Sequence, residues 1–405
     1  MIQPKIKQVN FIYNNGVNNK TIIFLFVAAL SFLRCTSKKG QKNIPTPTII
    51  TIDSNSVSYF SYLDTILKSV EFIPLASTKN SVIGQIKKVL PFGNKIAILN
   101  EKDKYAVDIF DRKGMFLYEI SSSKHEKISD FSIENNNIYL YLNLANKIEI
   151  FDKNGFYKTS KSMDRNVLGT SFEILQNNDL LIWNPFQFTS MGNFRMFFYK
   201  NIRNYTKAYL DFPAELSAKP KIFNASPFDK IDANNVLISE PLDDTIRNFR
   251  ITKDSSLLYP KYILKFDINP LPKGYLMNSK VNNIINDISF NQYSYYSKDF
   301  IELDSIIYFS YASTNNLFAC FLNKNGKIIA NSVEIISQRL HLTFPTPARP
   351  VWKFGNNAIA GYFHTNELLD WFKSNKNPKG AKQLLQTCSN MTGTDNPVLY
   401  IIHFK

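Results

Sequence analysis

Cysteine is scarce in this chain, three residues in 405, and no two stand in a Cys-x-x-Cys pair, which excludes zinc ribbons and dithiol redox motifs of that type. Histidine is nearly as rare. His125, His341, His364 and His403 are the whole supply, so carboxylates form the main acid–base pool. With 14 glycines and 18 prolines, the chain has neither a collagen-like repeat nor the composition of a disordered one. Gly-x-Ser-x-Gly, His-Glu-x-x-His, a phosphate-cradling glycine loop and EF-hand spacing are all missing. The common motif-marked hydrolases and metalloproteases therefore find no support. What the chain does hold is apolar and aromatic: 44% hydrophobic, with 33 Phe and 21 Tyr. Such side chains suit the pleated, half-buried surface of a β-sheet. The length leaves one large closed all-β unit or two smaller domains open.

One apolar run stands out near the N-terminus. Residues 21–33 follow Lys5, Lys7 and Lys20 and end at Arg34 and Cys35. Thirteen residues fall short of the ~20 that a helix needs to cross hydrocarbon, so the run fits a cleaved export signal better than a permanent span. Leu33, Arg34 and Cys35 resemble a bacterial lipobox, in which the cysteine thiol is acylated and becomes the first residue of the mature chain. Arg34 departs from that pattern, which has a small residue there, and Phe32 stands where leucine is commonest. Residues 36–43 read as a polar tether. On this reading residues 1–34 are a lipoprotein signal, 35–68 a largely irregular tether and lead-in, and Cys35 carries the lipid that holds the protein to a membrane. Lysines just after Cys35 point to the periplasmic side of the outer membrane rather than the cell surface.

The formal net charge is +15, and removal of the signal leaves 44 basic against 33 acidic residues. Those lysines are spread along the chain, as on a solvated surface, so no nucleic-acid partner is expected. Cys320 and Cys388 are the cysteines beyond the anchor. A disulfide between them and two buried free thiols both stay open, with the strand-like surroundings of Cys320 favouring the thiol.

From residue 69 onward short apolar runs alternate with Asn, Asp, Gly and Lys, the rhythm of strands and turns. One unit recurs. An apolar strand runs into Asp111-Arg112-Lys113-Gly114, and again into Asp152-Lys153-Asn154-Gly155 and Asn323-Lys324-Asn325-Gly326, with a second strand after each. In each turn the glycine supplies a positive-φ position and the Asp or Asn bonds its own backbone two residues on. The first two turns lie 41 residues apart, the four-strand period of a propeller blade. Residues 69–405 divide into about 56 per blade for six blades or 48 for seven, against the ~40–50 of propeller repeats. Strands near Val70 and Val398 lack local partners, which suits them to close the ring. Residues 366–373 read as a short helix inserted in the last blade.

The segments around Val70, Val82-Ile83-Gly84, Ile109 to Gly114, Leu242 to Ile246 and Asp395 to Tyr400 together resemble the six-bladed β-propeller lipoproteins of Bacteroidetes bacteria, close to NHL-type propellers. That resemblance implies an all-β fold of six blades closed by the N- and C-terminal strands, exported as a lipoprotein. It implies no reaction. Residues 121–125 depart from the family, whose relatives carry a glycine-rich run there.

Chemistry is thinly marked. Propeller lyases and lactonases place histidines or carboxylates around the axis. His403 lies in the closing strand, and His364 with Glu367 borders the inserted helix. Asp243 and Asp244 are adjacent, so on a strand they face opposite ways and serve local turn bonding better than joint catalysis. The aromatic clusters at 183–188 and 293–296 suit stacking on sugar or on a partner, or core packing. The expectation is a non-catalytic binding or scaffold module for an envelope protein, peptide or glycan, without cofactor or metal. The competing expectation is a propeller enzyme, a lyase, lactonase or glycosidase, with several acidic or histidine side chains around one end of the channel.

Overall fold

Strand-forming residues alternate with turn residues along the chain, and the computed structural model shows how the strands pair. It describes residues 44–53, 56–79, 81–102, 105–165, 167–185, 187, 189–214, 216, 226–253, 255–275, 284–314, 316–337, 342–345, 351–374, 382–393 and 395–405. Three strands come first: β1 (Thr48–Ile52), β2 (Ser58–Tyr62) and β3 (Leu67–Pro74). Blade 1 is β4 (Gln85–Phe92), β5 (Lys95–Glu101), β6 (Tyr105–Asp111) and β7 (Phe116–Ile120). Blade 2 is β8 (Asp130–Glu134), β9 (Asn137–Leu142), β10 (Lys147–Phe151) and β11 (Tyr157–Ser162). Blade 3 is β12 (Ser171–Ile174), β13 (Leu180–Trp183), β14 (Phe194–Lys200) and β15 (Asn204–Asp211). Blade 4 is β16 (Phe228–Lys230), β17 (Asn235–Ile238), β18 (Thr245–Ile251) and β19 (Ser256–Phe266), followed by helix α1 (Ile284–Asn291). Blade 5 is β20 (Tyr295–Glu302), β21 (Ile306–Ser313), β22 (Asn316–Asn323) and β23 (Ile328–Ser337), with β24 (Leu342–Pro345) paired on β23. Blade 6 holds β25 (Trp352–Lys353), β26 (Ala358–Phe363), helices α2 (Thr365–Ser374) and α3 (Lys382–Cys388), and β27 (Val398–Phe404). The fold is an all-β six-bladed propeller.

Blade 6 has only three strands of its own, and β3 from the other end of the chain is its fourth. β27 and β3 pair antiparallel from Val398 opposite Pro74 to Phe404 opposite Leu67, with a bulge before Phe404. Every residue of β27 except His403 is buried. Each buried Val, Leu or Ile there contributes roughly 1.5–3 kcal/mol, so the closing strand is held by side chains as well as by its ladder. The helix expected over 366–373 forms as α2, inside blade 6, with α3 as a second helix in the same insertion.

Residues 48–62 correct one expectation. The segment assigned to an irregular lead-in contains β1 and β2, which run parallel to the outer strands β19 and β23 as fifth strands of blades 4 and 5. The compact unit begins at Thr46 rather than at residue 69. Ile50 and Ile52 alternate inward and are nearly inaccessible, which is the physical reason the segment is a strand.

Packing lies between blades rather than within one central core. Six apolar clusters each take side chains from two neighbouring blades, and a smaller one sits beneath α2 and α3. Phe110, Phe131, Phe172, Phe197, Phe249 and Tyr308 are among the largest fully buried side chains. Here the abundance of Phe and Tyr finds its use: flat rings fill the wedge between twisted sheets.

The three repeated turns fold alike. Asp111 Oδ1 accepts the N–H groups of Lys113 at 2.8 Å and Met115 at 2.9 Å, and Gly114 takes φ +85°. Asp152 does the same for Asn154 and Phe156, and Asn323 for Asn325 and Lys327, with Gly155 and Gly326 at φ +85° and +80°. Cys35 lies outside the described residues. No described helix is long and apolar enough to cross a membrane.

Candidate functional site

The first strand of each blade faces the axis. Together β4, β8, β12, β16, β20 and β25 enclose a channel of about 760 Å³. Innermost strands of adjacent blades do not share a ladder, so their axial edges would leave backbone N–H and C=O groups open. Charged side chains close them. Lys88 of β4 lies 3.1 Å from Asp130 of β8 and donates to the Phe131 carbonyl at 2.8 Å. Asp130 accepts the Phe172 N–H of β12 at 3.0 Å, and Ser132 donates to Glu173 at 2.8 Å. Lys230 of β16 reaches back to Glu134 of β8 and donates to the Ile174 carbonyl of β12 at 2.7 Å. Asp229 accepts the Glu302 N–H of β20 at 2.8 Å. Lys353 of β25 donates to the carbonyls of Lys230 at 3.0 Å and Glu302 at 2.8 Å. All six inner strands are thereby tied to a neighbour.

Burial shifts these acids. It pushes Asp130 above the usual carboxylate range, against the pull of the Lys88 charge. It pushes Asp229 up to about 6, opposed by Lys353 and by the Glu302 N–H. Glu302 is also raised by burial, but hydrogen bonds and charge from Lys261 and Lys324 outweigh that and leave it below its ordinary value. Its carboxylate sits between blades 4 and 5, 2.6 Å from Lys261 and 3.1 Å from Lys324. Asp299 of β20 differs from the others. Burial pushes it up to about 7, opposed by Lys298 and by the Val351 N–H.

The residues singled out by sequence fall elsewhere. Asp243 and Asp244 form a turn: Asp243 accepts the Thr245 N–H at 3.0 Å and pairs with Arg247 at 2.7 Å. His403 meets Glu71 across the closing strands at 2.7 Å. His364 lies edge-on to Tyr362, His125 sits in the loop after β7 with φ +55°, and His341 is outside the described residues. In that same loop Ser123 donates its N–H to Glu149 of β10 at 2.9 Å. Trp183 packs edge-on against Phe228 beneath Arg195, and Tyr296 is buried with its hydroxyl on Ser239 at 2.9 Å, so these two members of the aromatic clusters pack into the fold. Cys320 and Cys388 are free, buried thiols in different apolar clusters. Burial raises both, Cys388 to about 11. Among the described residues no three Asp, Glu, His or Cys side chains converge as ligands of a metal ion.

The axial acids and lysines went unsingled in the sequence because they stand alone there. Lys88 and Asp130 are 42 residues apart and meet only when the ring is built. One signal was available: a charged residue interrupting an apolar strand that opens a blade, as Lys88 does in β4.

Comparison places this architecture among known proteins. The chain is similar to a Bacteroides fragilis protein regarded as exported, with a TM-score of 0.68 and 15% identity over 88% of this chain and 100% of that one. It is similar to a member of the DUF4221 family from Bacteroides vulgatus, with a TM-score of 0.47 and 11% identity over 84% and 97%. It is also similar to virginiamycin B lyase from Staphylococcus aureus, with a TM-score of 0.42 and 10% identity over 82% and 99%. At these identities the likeness speaks to fold alone. No curated protein matches the chain. The profile of the family described as Domain of unknown function (DUF4934) matches residues 47–403, β1 to β27, and the chain belongs to that family.

Proposed function

We propose that the protein is an exported, lipid-anchored binding module whose axial channel and mouths take an envelope protein, peptide or glycan without reacting with it. The observation that supports this is the engagement of four of the axial acids. Asp130, Glu134, Glu173 and Asp229 each face a lysine or hold a backbone N–H or hydroxyl of the next blade. An acid–base pair must exchange protons during turnover. Releasing these groups for that purpose would open the inner edges they close. A rigid ring presenting six sets of loops suits recognition instead.

Export and anchoring belong to the same proposal. They rest on the apolar run at residues 21–33 ending at Cys35. The B. fragilis protein that shares the fold, itself regarded as exported, is in keeping with them. The periplasmic face of the outer membrane is the location proposed.

The test is crosslinking in cells followed by affinity capture and mass spectrometry, comparing the full chain with Cys35→Ala and with Ser297→Trp, which places a bulky ring on the channel wall. Capture of an envelope component by the full chain, weakened by either variant, supports the reading. Chemically altered material recovered with the full chain, and lost on Asp229→Asn, overturns it in favour of an enzyme.

A further inference from the structure

One channel acid stands apart from the lattice that ties the blades together. Strand β20 loses register twice, between Tyr296 and Lys298 and again between Lys298 and Ile301. Within the second break Asp299 takes φ +63°, a left-handed conformation that a bulge uses to re-aim a side chain. Its side chain lines the channel wall and is only 5% exposed. Oδ2 of Asp299 has no hydrogen-bond partner at ordinary distance, and its one ion-pair neighbour, Lys298 Nζ, is 3.8 Å away, long for such a pair. A second buried group nearby is also unsatisfied, the hydroxyl of Tyr308 on β21, whose ionisation is suppressed by burial and then by the Asp299 charge. A buried carboxyl oxygen met only by one long ion pair is an expensive feature in a channel unless something polar arrives to complete its shell.

An aromatic wall lies beside it. The N–H of Val351 bonds the Asp299 carboxyl, and the next residue, Trp352, lines the same channel. Trp352 lies nearly parallel to Tyr362, rings 6.2 Å apart at 12°. A flat aromatic surface beside a carboxyl suits a pyranose, which offers C–H groups on its face and hydroxyls on its edge. A hydroxyl also satisfies a carboxyl in either protonation state, donating to the anion and accepting from the acid. The charges around it argue for a neutral ligand: an anion would meet Asp299, Asp229 and Glu173, a cation Lys298 and Lys353.

We propose that Asp299 anchors the ligand of the axial channel and that this ligand is a neutral carbohydrate, its hydroxyls on the Asp299 carboxyl and its ring against Trp352. The proposal rests on the binding reading above and names its ligand class. A volume of about 760 Å³ lies within the range of small-ligand sites and holds an oligosaccharide end rather than a long chain.

The test uses the full chain in detergent, probed on an array of neutral and acidic oligosaccharides and then titrated with the best neutral binder, following tryptophan fluorescence. The expected result is selective retention of neutral oligosaccharides, at least tenfold weaker for Asp299→Ala and for Trp352→Leu. The fluorescence change should vanish in Trp352→Leu, and Lys158→Ala on the outer strand of blade 2 should leave binding unaltered. Thermal unfolding of each variant separates lost binding from lost fold, and Trp352→Leu keeps the test alive if Asp299→Ala does not fold. Binding retained by a folded Asp299→Ala overturns the anchoring role. No oligosaccharide bound, with a protein partner captured in cells and lost in Ser297→Trp, overturns the carbohydrate and leaves the binding reading standing. No oligosaccharide and no channel-dependent partner overturn both.

Discussion

The rim and the axis of this propeller perform the same task, joining one blade to the next, by opposite means. At the rim, three turns repeat one design, a side-chain oxygen holding two N–H groups and a glycine at positive φ. Each glycine then lies against the outermost strand of the preceding blade. A Cβ on Gly114 would meet the Pro74 carbonyl oxygen at 2.1 Å, one on Gly155 the Tyr118 ring at 2.8 Å, and one on Gly326 the Thr48 methyl at 3.2 Å. At the axis the ties are long-range: Lys88, Lys230 and Lys353 each reach backbone carbonyls of other blades, and Asp130 and Asp229 each hold an N–H of the next one. The rim is specified by local chemistry, residue by residue. Charge placed at the axis has meaning only after the ring closes.

The sharpest test of the rim is steric, and it has the largest expected effect. Gly114→Val should cost about 4 kcal/mol in chemical denaturation, because left-handed strain adds to a collision with backbone that cannot move without opening blade 6. Gly155→Val should cost less, since a tyrosine ring can shift. Gly93→Ala is the comparison: φ is +60° but nothing lies within 4 Å, so only the strain of about 1 kcal/mol remains. Equal losses at positions 114 and 93 would remove inter-blade contact from the account.

Next in size is the axis. Lys88→Met should destabilise the protein by about 3 kcal/mol, because it leaves Asp130 buried without its cation and the Phe131 carbonyl open. Adding Asp130→Asn should return part of that loss, since a neutral amide still accepts the Phe172 N–H. A double variant no better than the single one would show that the N–H contacts, not the charge pair, hold blades 1 to 3 at the axis.

How far the sequence carried each region follows from the same contrast. Asp111 to Gly114 and its two copies are contiguous, so hairpins, period and ring were legible, and so were the closing strands once they lacked local partners. β1 and β2 were missed because their partners are remote, Tyr262 for Thr48 and Ser332 for Ser58, and polar residues surround them. Helix α1 was missed because its apolar residues stand within an Asn-rich stretch, and α3 because it follows α2 within one insertion. A channel was expected with the propeller, but none of the charged residues that line it was legible. Asp243 and Asp244 stand out because they are adjacent in sequence, whereas the ring gathers acids from strands of different blades.

A third prediction separates Asp299 from the rest of the axis by pH. Its ordinary value is 3.8 and burial raises it to about 7 in the folded protein, against the pull of Lys298 on its own strand. Tyr296 and Tyr308 face it from β20 and β21, and the Val351 N–H from the segment before β25. The raised value means the folded state binds the proton more tightly than the unfolded one, so its contribution is complete below pH 4 and is lost as pH rises through 7. Stability of the protein relative to Asp299→Asn should therefore fall progressively between about pH 4 and 7, then level off. Denaturation midpoints across that range check it. A flat difference would mean that Asp299 is solvated or partnered, and would set it back among the axial ties.

The smallest effect is expected where the repeat varies. Asn323 stands in blade 5 where Asp111 and Asp152 stand in blades 1 and 2, and its amide oxygen holds the same two N–H groups at 3.0 Å rather than 2.8–2.9 Å. An ionised acceptor makes the stronger bond, and Lys324 and Lys327 flank the position. Asn323→Asp should stabilise the protein by roughly 0.5 kcal/mol at neutral pH, and the gain should disappear in acid as the new carboxylate protonates. Lys324 limits the gain, because it is already drawn to Glu302 at 3.1 Å and to the Leu303 carbonyl. A loss on this substitution would mean that the charge of blade 5 is set by the Glu302 cluster between blades, so that here the rim too answers to the closed ring rather than to its own turn.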